Sequence, residues 1–142
     1  MQVTIPNTYL DLFQKPVHGV LTTMMPDSTA QSSIVWVDYD GEHVLINTTL
    51  ERQKGRNMQA NPKVTILVID PKDSSRWIEV RGQVKEMTQD CAEAHADKLT
   101  QRYCPGKRHF YSDIYPPGQK EKETRVIVKI EPIKISLNAI FK

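Results

Sequence analysis

The stretch QSSIVWVDYDGEHVLINTT, Gln31 to Thr49, limits what this chain can fold into more than any other part of it. Two β-prone runs meet at Asp40-Gly41, and such a pair reads as a hairpin because glycine reaches the positive φ that a tight turn demands. Further runs of the same kind surround it. VHGVLTTM (Val17 to Met24) reads as a strand ending in a PDST turn, and KVTILVID (Lys63 to Asp70) as a compact buried strand. RWIEVRGQVKEM alternates cleanly, with Trp77, Glu79, Arg81 and Gln83 on one face and Ile78, Val80, Gly82 and Val84 on the other. TRVIVKIEP and IKISLNAIF supply two more strands, so the count is six or seven.

Helix is scarce. Asn7 to Gln14 reads as a short helix with Tyr9, Leu10 and Phe13 on one face, broken by Pro16. Thr88 to Tyr103 reads as the one substantial helix, with Ala92, Ala96, Leu99 and Tyr103 at helical spacing and Pro105-Gly106 as its stop. Lys107 to Lys122 is polar and irregular. So little helix cannot cover both faces of an open sheet. Short antiparallel strands then favour a mainly β fold, a β-barrel with peripheral helices, which also removes exposed strand edges. At 142 residues, one domain spanning 1–142 is the simplest reading.

The bulk properties exclude several functions. A net charge of +2 is too small to argue for nucleic acid. No apolar run approaches a membrane span, and the N-terminus lacks the pattern of a signal peptide. Cys91 and Cys104 make no disulfide framework and suit a reducing cytoplasm. His18, His43, His95 and His109 share no metal-ligand spacing; Cys91-x3-His95 is an incomplete set, which predicts a half-buried cysteine, an exposed histidine and no metal.

The RQKGR run, Arg52 to Arg56, poses the functional question. In one continuous helix Arg52 and Arg56 would share a face and Lys54 would point away. A single cationic cluster needs a break, and Gly55 offers one. The reading is a strand ending at Thr48, a loop carrying Arg52 and Lys54, and a helix starting near Gly55, whose free amides would add their positive field to the cations. On charge spacing alone, a solvated basic connection is the commoner outcome.

The order of parts resembles a known family. "HGVLTTMMPDSTAQSSIVWVDYDGEHVLINTTLERQKGRNMQANPKVTILVID" followed by "WIEVRGQVKEM", roughly Pro16 to Met87, resembles the pyridoxamine 5'-phosphate oxidase-like split β-barrel superfamily, which has an FMN-binding-protein-like fold. Within it, the chain looks most like small bacterial proteins that bind the deazaflavin coenzyme F420. The resemblance implies a homodimer with the cofactor in a groove at the subunit interface. It gives the phosphate grip to Arg52, Lys54 and Arg56, and lets Asn57 fix the loop and helix entry. Thr48 and Thr49 would lie near the phosphate and ribityl chain, and Ser33, Val35 and Trp36 along the ring. Lys54-Gly55-Arg56-Asn57 looks more like the deazaflavin branch than the FMN branch, which tends to place an Arg-Lys pair before the helix. Lys107, Arg108, Lys120 or Lys122 could meet the oligoglutamate tail of F420, although each also reads as ordinary solvated surface.

Such a cofactor carries the hard chemistry itself, so the lack of a triad or carboxylate pair is compatible with an enzyme. The resemblance implies an F420-dependent oxidoreductase acting on an unsaturated small-molecule substrate. The alternatives are an FMN-dependent pyridoxamine 5'-phosphate oxidase-like protein, or a non-catalytic flavin-, deazaflavin- or haem-binding one. Tyr103, His109, Tyr111 or an arginine are candidate proton donors, and the Lys107–Lys122 segment is expected to border the acceptor side. Trp36 reads equally well as ring-stacking or as packing, and Trp77 as packing.

Overall fold

A computed structural model describes residues 3–138. It contains the strands β1 (His18–Met24), β2 (Ala30–Trp36), β3 (Asp38–Tyr39), β4 (Val44–Thr49), β5 (Lys63–Asp70), β6 (Asp73–Thr88) and β7 (Arg125–Leu137). Its α-helices include α1 (Asp11–Gln14), α2 (Gln53–Ala60) and α3 (Ala92–Tyr103). The strands form one antiparallel sheet in the order β2-β1-β5-β6-β7-β4-β3.

That order makes β2 and β3 the two edges of the sheet, yet only Val37 separates them in the chain. The sheet therefore curls until its edges lie side by side. This is a split barrel, whose hydrogen-bond ladder stops at the seam. Alternation fills the inside: Leu21, Ile46, Ile66, Val68, Ile78, Val80, Val128 and Ile130 are all buried, together with Leu12 and Phe13 of α1. Burying each such side chain is worth about 1.5–3 kcal/mol.

At the seam Val37 has no strand partner, and a buried backbone group without a partner is costly. Helix α3 supplies one. The Tyr103 hydroxyl accepts from the Val37 amide at 3.0 Å and donates to the Val17 carbonyl at 2.7 Å, while Arg102 Nη1 donates to the Val37 carbonyl at 3.2 Å.

Four readings change in detail. Only Asp38–Tyr39 of the first β-prone run pairs across the Asp-Gly turn; Ala30–Trp36 pairs with β1 instead, because the seam divides the run at Val37. The two final runs are one strand, β7. Pro132, which cannot donate to a ladder, is accommodated where the register with β6 slips beside Gly82; the end of the second run, residues 139–142, lies outside the described residues. Helix α3 begins at Ala92, since Thr88 is still paired with Ile127. Asn7–Gln14 is a 3-10 turn followed by α1.

Candidate functional site

Strand β4 ends at Thr49, the chain turns over Leu50–Arg52, and α2 begins at Gln53. The turn is fastened to the start of β7: the Leu50 amide donates to the Thr124 carbonyl at 3.0 Å, and Glu51 Oε1 accepts from the Thr124 amide at 2.7 Å. Arg52 is the N-cap in extended conformation, and no side chain among the described residues caps the helix. The first amides of α2 thus lack intrahelical acceptors.

Gly55 is not a break. It lies within the first turn of α2, pressed against the end of β4 so closely that an added Cβ would sit 2.1 Å from the Thr49 carbonyl oxygen. Arg52 leaves the helix while Lys54 stays in its first turn, and both line one cleft. Arg56, one turn further, curls back onto the Glu51 carbonyl and Gln53 Oε1 and does not line it.

The cleft has a volume of about 190 Å³ and opens at the seam. Val35 and Trp36 of β2 form one side and Asn47 and Thr48 of β4 another, over a floor of Ala96 and Leu99 from α3. Phe110, Ile114 and Tyr115, from the segment after α3, form the remaining wall. Ile34 stands at the rim, 69% exposed. Trp36 stacks on Tyr103 with centroids 5.2 Å apart and planes 9° off parallel, and meets the edge of Phe110.

Three cations line the cleft, and they differ in how they are compensated. Arg52 Nη2 donates to the Tyr115 hydroxyl at 2.8 Å. Lys54 has no hydrogen bond or ion pair among the described residues; burial, and then the neighbouring Arg52 charge, push its ammonium below the ordinary lysine range. Arg125 is instead held through each of its three nitrogens: Nε donates to Tyr111 Oη at 2.8 Å, Nη1 to Asn47 Oδ1 at 2.8 Å and Nη2 pairs with Glu123 Oε2 at 2.9 Å. Burial raises the Tyr111 hydroxyl, with Glu123 adding to it. Burial also works against Glu123, but hydrogen bonds from Tyr111, Gln119 and Arg125 outweigh it and hold that carboxyl below its ordinary range.

The other predicted residues are distributed around this cleft. Asn57 lies on the buried face of α2, where its Nδ2 donates to Thr23 Oγ1 at 3.0 Å and its Oδ1 accepts from Gln53, so it fixes the helix onto β1. Ser33 and Thr49 do not line the cleft; Thr49 Oγ1 is buried without a partner among the described residues. Tyr103 is committed to the seam, His109 is exposed and pairs with Asp97, and Lys120 pairs with Glu93 at 2.7 Å. None of Lys107, Arg108, Lys120 and Lys122 lines the cleft. The pair Cys91 and His95 is the reverse of the expectation: the cysteine is exposed and the histidine buried, because His95 Nε2 meets the buried carboxylate of Asp38 at 3.0 Å.

Asn47 and Arg125 escape sequence reasoning. Their partnership spans 78 residues and leaves no local pattern. The nearest available signal is that Asn47 directly precedes the Thr48-Thr49 strand end.

Comparison with known proteins agrees with this fold. No curated protein matches the chain. A solved F420 reductase is 36% identical, with a TM-score of 0.78 over 93% of this chain and 98% of the other. A conserved protein of Mycobacterium tuberculosis (23% identity, TM-score 0.70, 96% and 85% covered) and general stress protein 26 of Bacillus anthracis (20%, 0.62, 89% and 87%) share the fold. Residues 5–139 match the pyridoxamine 5'-phosphate oxidase family, and with that match, the split barrel and the identity to the reductase, the chain belongs to this family.

Proposed function

We propose that the cleft binds coenzyme F420 and that the protein is an oxidoreductase acting on an unsaturated organic substrate. The observation that carries this reading is Lys54: a half-buried ammonium beside Arg52, at the uncapped start of α2, with no acidic partner among the described residues. Two adjacent uncompensated cations and free helix amides suit a phosphate. The 36% identity to an F420 reductase favours the deazaflavin over FMN, which would present a phosphate to the same residues.

In this reading Arg52, Lys54 and the first amides of α2 hold the phosphate, with Thr48 beside it. Trp36, Val35 and Ile34 offer an apolar side to the ring. Bound there, reduced F420 supplies the hydride; the chain binds, orients and excludes water. A volume of about 190 Å³ falls below the roughly 300–1,000 Å³ of ordinary ligand sites. A second copy of the chain, covering the exposed Ile34 rim, completes the groove in this reading, as the family resemblance implies.

The test is fluorescence titration with F420 and with FMN. Charge-assisted hydrogen bonds are worth about 1.5–3 kcal/mol, so Lys54→Ala or Arg52→Ala should weaken F420 binding about 10- to 100-fold. Arg56→Ala, outside the cleft, should change it little. Equal affinity in Lys54→Ala removes the phosphate grip, and tight FMN binding without F420 binding reassigns the cofactor. Tight binding with no turnover on any acceptor favours a carrier.

A further inference from the structure

Beneath the cleft a chain of polar side chains has its polarity settled from both ends. Arg125 can only donate, so Asn47 must offer it the amide oxygen, at 2.8 Å. The amide nitrogen then faces the Ala92 carbonyl at 2.8 Å and His95 Nδ1 at 3.1 Å. With Nδ1 receiving, the ring proton sits on Nε2, 3.0 Å from Asp38 Oδ2, and a carboxylate only accepts. Turning Asn47 over would set its NH2 against the guanidinium. Each link therefore has one arrangement, and Asp38, whose side chain is 2% exposed, is held in turn by Lys98 and Arg102 of α3.

The far end of this chain is at the cleft. The Arg125 side chain is only 8% exposed, and its guanidinium lies 4.2 Å from the Phe110 ring centre. Three of its five N–H groups are used by Tyr111, Asn47 and Glu123. Two remain. Glu123 already neutralises its charge, which sets Arg125 apart from Lys54. A rigid, neutralised donor suits an uncharged acceptor better than it suits a phosphate.

We propose that Arg125 is the hydrogen-bond donor of the cleft toward a carbonyl oxygen of the bound ring or substrate, and that Asn47, His95 and Asp38 are the positioning residues that aim it. This rests on the reading of the cleft as a cofactor site. Donors fixed in advance in a poorly solvated site favour charge that builds on such an oxygen during reduction.

The experiment measures two affinities in each protein: F420 by fluorescence, and inorganic phosphate by competition against it. Asn47→Leu is expected to weaken F420 about tenfold while the phosphate constant stays within about twofold. Lys54→Ala should instead lose phosphate affinity. In 15N NMR of the wild-type protein His95 should carry its proton on Nε2, a signature that does not depend on any variant folding. Wild-type F420 affinity in Asn47→Leu, or equal loss of F420 and phosphate, or a proton on Nδ1, overturns the proposal and leaves the phosphate grip standing. Failure of the wild type to bind F420, or unchanged phosphate affinity in Lys54→Ala, overturns the cofactor reading and the proposal with it.

Discussion

Replacing Gly55 by alanine sets two physical effects against each other with opposite signs. Inside a helix, glycine costs about 1 kcal/mol relative to alanine, so Gly55→Ala in α2 ought to stabilise the protein by that amount if helix propensity decided the matter. The position forbids it. The added Cβ would lie 2.1 Å from the Thr49 carbonyl oxygen, 3.1 Å from Thr49 C and 3.2 Å from Leu50 C, all of them backbone atoms at the end of β4. No side chain can rotate away to relieve this. Helix and strand end must separate by about 1 Å, although Leu50 and Glu51 are fastened to Thr124 and Asn57 anchors the helix to Thr23 of β1. Overpacking of this kind costs about 1–3 kcal/mol, and more where only backbone can yield. The net expectation is a loss of roughly 1–2 kcal/mol in urea denaturation, or about 3–8 °C in Tm for a chain of this size.

The same displacement moves Arg52 and Lys54, which flank Gly55 in the turn and the first helical residues. Affinity for F420 should therefore fall in Gly55→Ala by more than stability alone explains, at temperatures where the variant is fully folded. A variant stabilised by about 1 kcal/mol, the propensity value, would refute the close approach and with it the placement of both cations.

Asp38 governs an acid-sensitive part of the fold. Burial opposes its charge, but hydrogen bonds from His95 and Lys98 and the Arg102 charge outweigh burial and hold its carboxyl far below the ordinary range. A depressed native value stabilises the fold above the unfolded pKa of about 3.9, and that contribution is lost as pH falls toward the native value. Asp38→Asn should cost about 3–5 kcal/mol at pH 7, and its deficit against wild type in urea melts should stay constant above about pH 5 and shrink below about pH 4. A deficit independent of pH down to pH 2 would sink this account. Tyr115→Phe removes the 2.8 Å hydrogen bond that occupies Arg52, and should raise F420 affinity about two- to fivefold. Weaker binding in that titration would make Tyr115 a ligand contact.

The strands were legible because their information is local. Val64, Ile66 and Val68 alternate inward on β5, as do Ile78 and Val80 on β6, and a period of two is visible without a partner. The basic run was legible as a place, and Arg52 and Lys54 do share a cleft. What decides the remainder is packing that no spacing pattern shows. Only glycine fits at position 55, where α2 meets the Thr49 carbonyl of β4, while Arg52 stands outside the helix as its N-cap and Arg56 turns back on its own loop. His95 is inside because Asp38, 57 residues earlier, needs a donor at the seam. Asn47 and Arg125 meet only because β4 and β7 are neighbours, an adjacency that no spacing encodes.

These long-range effects converge on one place, and the topology gives the reason. A fully closed barrel would satisfy every strand edge with another strand and leave no polar backbone to attend to. Here β2 and β3 part at Val37, and α3 has to cover the gap with Tyr103 and Arg102. A helix held against the seam brings its next turns with it: Leu99 and Ala96 become the floor of the cleft, and His95 reaches Asp38 on one side and Asn47 on the other. The segment after α3 must then cross the opening to reach β7, which places Phe110 and Tyr115 over it and Arg125 beside Asn47. The cleft is thus a consequence of leaving the barrel split, and the residues that repair the seam are the ones that carry the wall, the floor and the aim of its buried arginine.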